Sequence, residues 1–448
     1  MSNGYKPYSR DQAFLLPPCM KDWLPKGDLA YFIADLSETL DLSEFDRFYR
    51  AGKAPSGQPP FHPRVMVALL LYAYCLGTAS SRKIARLCER DLGYRIVSAD
   101  QQPNFRTISE FRRIHLKALN GLFVQVLHLA REAGLVKLGH VALDGTKVKA
   151  NASKHKAMSY GRMCEREAQY VQEVAQLLKR AQETDEAEDR EHGRDVRGDA
   201  LPEELQFREK RLAKIRAAKK ALEEAAKAKA RSEGKLDEKG EPLPPKRGKP
   251  PKTPPGTPEP KAQRNFTDPE SPIMKMGDGS FDQAYNCQAA VDSAHQIIVA
   301  QEAADAPNDK QQVVPMLEQI RRNLRRRPKL VSADSGYYSE SNVRYLRKRR
   351  IDDHLCPDRL KHGETPPPVR GPIPKGLSLI DRVRRKLMMK SGRLTYALRK
   401  QIVEPVFGQI KSVRGLRQFL LRGREKVRGE WSLWCTTHNL RKMWAATA

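Results

Sequence analysis

A strand period that starts, stops for a long stretch and then resumes is what most limits the fold of this chain. HVALDGTKVKA (140–150) is an apolar run with β-branched residues, broken by one carboxylate, Asp144. The period returns in QAYNCQAAVDSAHQIIVAQEAAD (283–305), which reads as two strands joined by a tight turn near Asp292 to His295. It returns again in KLVSADSGYYSES (329–341), a short buried strand with Asp334 at its C-terminal end, and in IDDHLC (351–356). Helical stretches separate these strands, at DKQQVVPMLEQIRRNLRRR (309–327) and SNVRYLRKRR (341–350). An acid inside a central strand is costly unless it is paired or binds a cation. An Asp before Gly is also a common turn former, so Asp144 taken alone leaves both readings open.

Three antiparallel strands followed by parallel ones, with helices on the faces, make an α/β core of the ribonuclease-H-like (retroviral-integrase-like) kind. In that topology the first strand is central and the fourth lies beside it, which would bring Asp144 and Asp334 together. The interruption at 154–264 is different material. Val171, Val174, Leu178 and Ala181 follow a heptad-like spacing, as do Leu205, Leu212, Ile215 and Leu222, with the turn HGRDVRGD (192–199) between them. This reads as an antiparallel helical-hairpin insertion, followed by a basic proline-rich linker, LPPKRGKPPKTPPGTPEPK (243–261).

Ahead of the core the pattern is all-helical. An irregular start leads to a helical stretch from Leu29 to Tyr49 and a Pro/Gly-rich joint from Lys53 to Pro60. HPRVMVALLLYAYCLG reads as a buried helix, and SSRKIARLCERDLGYR as a second one ending at Gly93. Thr107 and Glu110 form a capping-box pattern opening a third, which runs to Gly134. Arg106, Arg112, Arg113 and His115 on that helix fit a helix-turn-helix-like DNA reader, or a bundle whose exposed side is basic. The expected organisation is a helical, DNA-binding N-terminal domain over 1–135, a core from 136–153 and 265–448, and the insertion over 154–264.

Near the C-terminus, YALRKQIVEPVFGQIK (396–411) reads as a helix with one carboxylate, Glu404, among cations. Lys400 and Lys411 fall close to Glu404 on the helix surface and Arg399 lies further round. A basic, proline-containing loop (357–385) precedes it, and a helix from Glu425 to Trp444 with Trp431, Trp434 and Trp444 packed into the core follows.

Charge points to the partner. Lys and Arg number 82 against 54 Asp and Glu, a formal charge of +28 with a pI near 9.8, so a polyanion is expected. The longest apolar run, Val65 to Leu76, is too short to span a bilayer. The opening residues, MSNGYKPYSRDQ, lack the apolar core of a signal peptide, and the seven cysteines are scattered with no CxxC pair. A cytoplasmic protein with reduced thiols is the expectation. Three carboxylates, Asp144, Asp334 and Glu404, with no His or Cys beside them call for a hard cation such as Mg²⁺. Two such ions about 3.5–4 Å apart would clamp the attacking and leaving oxygens of a phosphoryl displacement. Lys400 and Lys411 then read as phosphate contacts.

These residues carry a resemblance. LDGTKVKANAS around Asp144, LVSADSGYYSESN around Asp334, and Tyr396, Arg399, Glu404 and Lys411 together resemble the DDE transposases of bacterial insertion sequences, in the IS-four/IS-five-like group and nearest its eleven-eighty-two type. One departure is visible: four residues separate Arg399 from Glu404, where the family's signature has three. The resemblance implies binding of the element's terminal inverted repeats, Mg²⁺-dependent strand cleavage with Mn²⁺ able to substitute, and joining of the freed 3′-OH to target DNA. It implies Asp144, Asp334 and Glu404 as metal ligands, with Tyr396, Arg399, Lys400, Lys411 and Lys147 toward DNA. It further implies a homodimer, because two ends must be brought together, and a place in the cytoplasm at the nucleoid. A non-catalytic DNA-binding derivative, or a nuclease that cuts without joining, are the competing readings.

Overall fold

The computed structural model describes residues 19–48, 60–192, 203–237, 241–243, 253–306, 308–357, 360 and 365–447. The first 18 residues, the joint at 53–59, the turn at 193–199 and the linker stretch 244–252 lie outside the described residues.

Helices open the chain: α1 (Leu29–Thr39), α2 (Ser43–Phe48), α3 (Pro63–Cys75), α4 (Ser81–Arg90), α5 (Leu92–Val97), α6 (Phe105–Ile114) and α7 (Leu116–Glu132). Caps explain where several begin. His62 accepts from the Arg64 amide ahead of Pro63, whose missing N–H suits the first helical position. Asp91 is extended and its carboxylate accepts from Tyr94 N, which starts a new helix. The expected single helix through Gly93 is therefore two, α4 and α5. Asn104, not Thr107, caps α6, accepting from Thr107 N at 2.9 Å. His115 breaks the expected long helix into α6 and α7.

Then come β1 (His140–Lys149), β2 (Ala157–Ser159), α8 (Tyr160–His192), α9 (Glu203–Ser232), β3 (Gln263–Asn265), β4 (Ile273–Lys275), β5 (Phe281–Asp292) and β6 (Ile298–Ala304). After them follow α10 (Val313–Leu324), β7 (Leu330–Ala333), α11 (Glu340–Lys348), β8 (Asp352–Leu355), α12 (Leu379–Met388), α13 (Lys390–Gly408) and α14 (Arg424–Thr447). Helix α12 starts inside what the sequence presented as a loop.

The architecture is mixed α/β. The main sheet runs β6-β5-β1-β7-β8, with β1 antiparallel to β5, β5 antiparallel to β6, and β1, β7 and β8 parallel; β4 pairs with the start of β5. Ala142 pairs with Ser332, the last pair between β1 and β7. Asp144 and Asp334 each stand two residues further on, so the strand period puts them in phase on neighbouring strands. This is the strand order expected from the sequence.

Helix α14 ties the molecule together. It packs against β6 on one side and against α7 and α3 on the other, so the N-terminal helices and the sheet share one apolar core. Trp431 and Trp434 are buried in that core, and the Trp431 indole donates to Gln288 O at 3.1 Å. Trp444 is only partly buried, and its indole donates to Gly27 O.

Helices α8 and α9 lie antiparallel. Tyr160 donates to Glu223, Arg216 and Lys219 pair with Glu167, and Arg208 with Glu173. Their apolar contact is a small separate cluster, Met163, Ile215 and Ala218. Val171 and Leu178 of the expected heptad face solvent instead. Among the described residues no helix is long and apolar enough to cross a membrane.

Candidate active site

Two aspartates, one arginine and one helix phase define the site. The Asp144 carboxylate accepts from Gly145 N at 2.8 Å and receives the Arg399 guanidinium at 3.1 Å. Burial drives its pKa up to about 6; Arg399 and the Gly145 amide oppose that rise, while Asp334 and Asp309 add to it. Asp334 opens a 3₁₀ turn, Ser335–Tyr337, and accepts from Gly336 N at 3.0 Å. Its pKa is also raised by burial, again opposed by Arg399 and reinforced by Asp309.

Arg399 is more than nine-tenths buried, and its Nε has no hydrogen-bond partner among the described residues. A cation held against two half-buried carboxylates is the arrangement expected where negative charge has been concentrated for a purpose.

Glu404 does not join them. Five residues from Arg399 turn a helix about 140°, so the two cannot face the sheet together. Arg399, Ile402, Val403, Val406 and Phe407 form the buried face of α13, and Glu404 and Lys400 are exposed. The extra residue in the signature decides this phase. Lys411 follows α13 in a π-helical turn, Gln409–Val413, and is half-buried, donating to Thr146 Oγ1 at 2.8 Å. It braces β1, reaching Lys147 O as well. Burial lowers its pKa.

The remaining basic candidates divide by exposure. Arg112 is buried, donating to Tyr74 OH, Ala79 O and Ser81 Oγ, so it holds the helices together and offers nothing to a phosphate. Arg106 and Arg113 are exposed, the latter paired with Glu110. Lys147 donates to Lys275 O at 2.7 Å. Tyr396 is half-buried beneath the Arg399 guanidinium, 5.9 Å from ring to Cζ, and burial raises its pKa to about 12.

Two family models match the chain. One, described as a transposase DDE domain, covers residues 252–440 and takes in Asp334, Arg399, Glu404 and Lys411. The other, described as a transposase domain (DUF772), covers 18–113. The chain belongs to the DDE transposases of insertion-sequence type. No curated protein and no solved structure matches it. The stretch of the transposase between the two matches holds β1, Asp144 and the α8/α9 hairpin.

One acid of the transposase escaped the sequence reading. Asp309 lies in the polar loop after β6, where an acid is unremarkable, and it raises the pKa of both Asp144 and Asp334. Only the pairing of β5 with β1 and β6 reveals its place. Among the described residues no three His, Cys, Asp or Glu side chains close on one point as a finished metal site. The donor chemistry nevertheless fits a hard cation. Carboxylate oxygens are the donors, burial penalises their charge, and Arg399 already supplies a positive charge there.

Proposed function

We propose that this transposase binds the terminal inverted repeats of its element, cuts the DNA at their ends and joins the freed 3′-OH to target DNA. The core that does so is ribonuclease-H-like, with the helical region 1–135 as the end-reading part and 154–264 as an insertion in the core. The observation carrying the reading is the convergence of Asp144 and Asp334 from adjacent strands beneath Arg399.

Asp144 and Asp334 would hold Mg²⁺, with Mn²⁺ able to substitute. Bound there, a pair of such ions supplies Lewis-acid stabilisation of the attacking and leaving oxygens in a phosphodiester displacement. Arg399 keeps the two acids charged and close. Lys411 fixes the strand that carries Asp144 through Thr146. Exposed Lys400, Arg106 and Arg113, with the chain's overall positive charge, favour the DNA backbone. Glu404, supplied by the signature as a third ligand, stands on the solvent side of α13, so its role is decided by its own variant.

The test is cleavage and strand transfer on DNA carrying the element's ends, with Mg²⁺. Asp144→Asn and Asp334→Asn are each expected to abolish both products while end-binding stays within a few-fold. Wild type that binds the ends without cutting at any Mg²⁺ or Mn²⁺ concentration would leave a DNA-binding protein only. Cutting without joining would leave a nuclease.

A further inference from the structure

An open cleft of about 200 Å³ lies between the π-helical turn Gln409–Val413 and the C-terminal end of α14. Val413 and Trp444 give it apolar walls, and Arg414, His438, Arg441 and Lys442 also line it. Trp444 is held in place by donating to Gly27 O at 2.8 Å. None of these residues belongs to the site of Asp144 and Asp334.

Arg414, Arg441 and Lys442 are cations at neutral pH, and their partners are all uncharged. Arg414 is buried and donates to Thr437 Oγ1 at 2.9 Å, to Trp434 O at 3.3 Å and to Tyr74 O at 3.4 Å. Arg441 donates to Cys75 O at 2.9 Å, and Lys442 to Gln296 Oε1 at 2.7 Å. Among the described residues no carboxylate pairs with any of the three. Tyr74 and Cys75 end α3, whose C-terminal pole supplies about half a negative charge. A surplus of about two positive charges therefore surrounds one cleft. Its effect is visible within the cleft. Burial pushes the pKa of Arg414 down to about 10, and Arg441 acts in the same direction. Burial also takes the pKa of His438 down to about 3, with Arg414, Lys442 and Arg441 adding to the fall. Buried charges in folded proteins are paired, and here the pair is incomplete.

We propose that this cleft is an oxyanion site that takes a phosphate group, either of the DNA backbone or of free phosphate. Arg441 uses one of its N–H groups and Lys442 one of its three, so both keep donors for a tetrahedral anion. A phosphate brings up to two charges and several acceptor oxygens, which fits the surplus better than the single charge of a carboxylate. The turn that lines the cleft also carries Lys411, which donates to Thr146 on β1. An anion in the cleft thus sits against the turn that braces the strand of Asp144.

The experiment is calorimetric titration of the full-length protein with inorganic phosphate, and with acetate as the carboxylate control. DNA and divalent metal are absent, so the result does not depend on the reading of Asp144 and Asp334. Wild type is expected to bind phosphate at least about 10-fold more tightly than acetate. Arg441→Gln and Lys442→Gln each remove a charge but keep a donor for Cys75 O or Gln296 Oε1. Each is expected to weaken phosphate binding at least about 10-fold. Lys348→Gln, at an exposed position on α11, should leave it unchanged. Circular dichroism melting shows that each variant is folded. Duplex DNA then separates the two sources. For a backbone phosphate, duplex displaces inorganic phosphate, and Arg441→Gln lowers the salt slope of DNA binding by about one. For free phosphate, the anion stays bound beside duplex and the slope is unchanged. No phosphate binding by folded wild type, wild-type affinity in folded Arg441→Gln and Lys442→Gln, or equal affinity for acetate overturns the proposal.

Discussion

Asp144 carries a charge that its surroundings oppose, and this has a measurable consequence for stability. Its pKa in the folded protein, about 6, lies above the ordinary value of 3.8. The folded state therefore holds a proton, between those two values, that the unfolded chain has released. The metal-free protein gains stability from this group as pH falls from 7 through 6 toward 4, and loses it as pH rises. A shift of about two units corresponds to about 3 kcal/mol at most. His438 works the other way: burial holds its pKa near 3, so its contribution is lost as pH falls below its ordinary range. The check is the difference in urea midpoint between wild type and Asp144→Asn across pH 4–8, without metal. That difference should be largest near pH 8, favouring the variant, and vanish near pH 4. A pH-independent difference would show that Asp144 is not perturbed. Asp144 and Asp334 were legible in the sequence because an acid inside or ending an apolar strand is conspicuous. Asp309 was not, because its place is set by buried amides on another strand, Asn286 and Gln288. Arg112 misled for the opposite reason: a basic residue on an amphipathic helix reads as surface until Tyr74 and Ala79 are seen to enclose it.

Helix α13 shows how a single residue of spacing sets what an element can present. The motif and its interior Pro405 were readable, but the helix starts at Lys390, ahead of the expected Tyr396, and gives way to a π-helical turn after Gly408. Which face turns inward was not readable, since Arg399 and Glu404 each could have faced the sheet and the burial of Ile402, Val403 and Val406 chose Arg399. The helix is also held at its start. A carbon at the Cβ of Gly392 would come within 2.0 Å of Lys386 O and 2.8 Å of its carbonyl carbon, so α12 and α13 meet backbone to backbone. Gly392→Ala should force the two helices apart and displace Arg399 from Asp144. Destabilisation of about 1–3 kcal/mol is expected from such overpacking, measured by urea denaturation. The same variant should increase the pH dependence assigned to Asp144, because the guanidinium that holds its pKa down has moved away. Unchanged stability would mean that the corner between α12 and α13 is not fixed as described. The breaks at Asp91 and His115 teach a related lesson. A helical period continues across them in sequence, and only the extended backbone at Asp91, with its carboxylate on Tyr94 N, shows where one helix ends.

At the scale of the molecule, one core spans the N-terminal helices and the sheet, while the α8/α9 hairpin has its own small one. Strand order was readable because each strand kept its period and each crossover its helix. The shared core was not, because no periodicity in α14 announces that its two sides bury against α7 and β6 at once. The boundary drawn by composition near residue 135 is thus crossed by packing. The hairpin is the reverse case, distinct in composition and joined to the rest through a narrow neck. Tyr160 N donates to Ala262 O at 2.7 Å and Gly161 N to Pro260 O at 3.1 Å, so the two ends of the insertion already lie side by side. Beyond that neck its contacts are chiefly internal, from Glu167 with Arg216 and Lys219 to Glu173 with Arg208. Replacing residues 162–259 by a short Gly/Ser loop should therefore leave the sheet and its helices folded, since closing a shorter loop adds little entropic cost. Calorimetry of the shortened chain should show one cooperative transition within about 5 °C of the main wild-type transition, a shift corresponding to about 1–2 kcal/mol in a protein of this size. Collapse of that transition would mean that the hairpin supports the core that carries Asp144, and would move it from an appendage to a structural part of the enzyme.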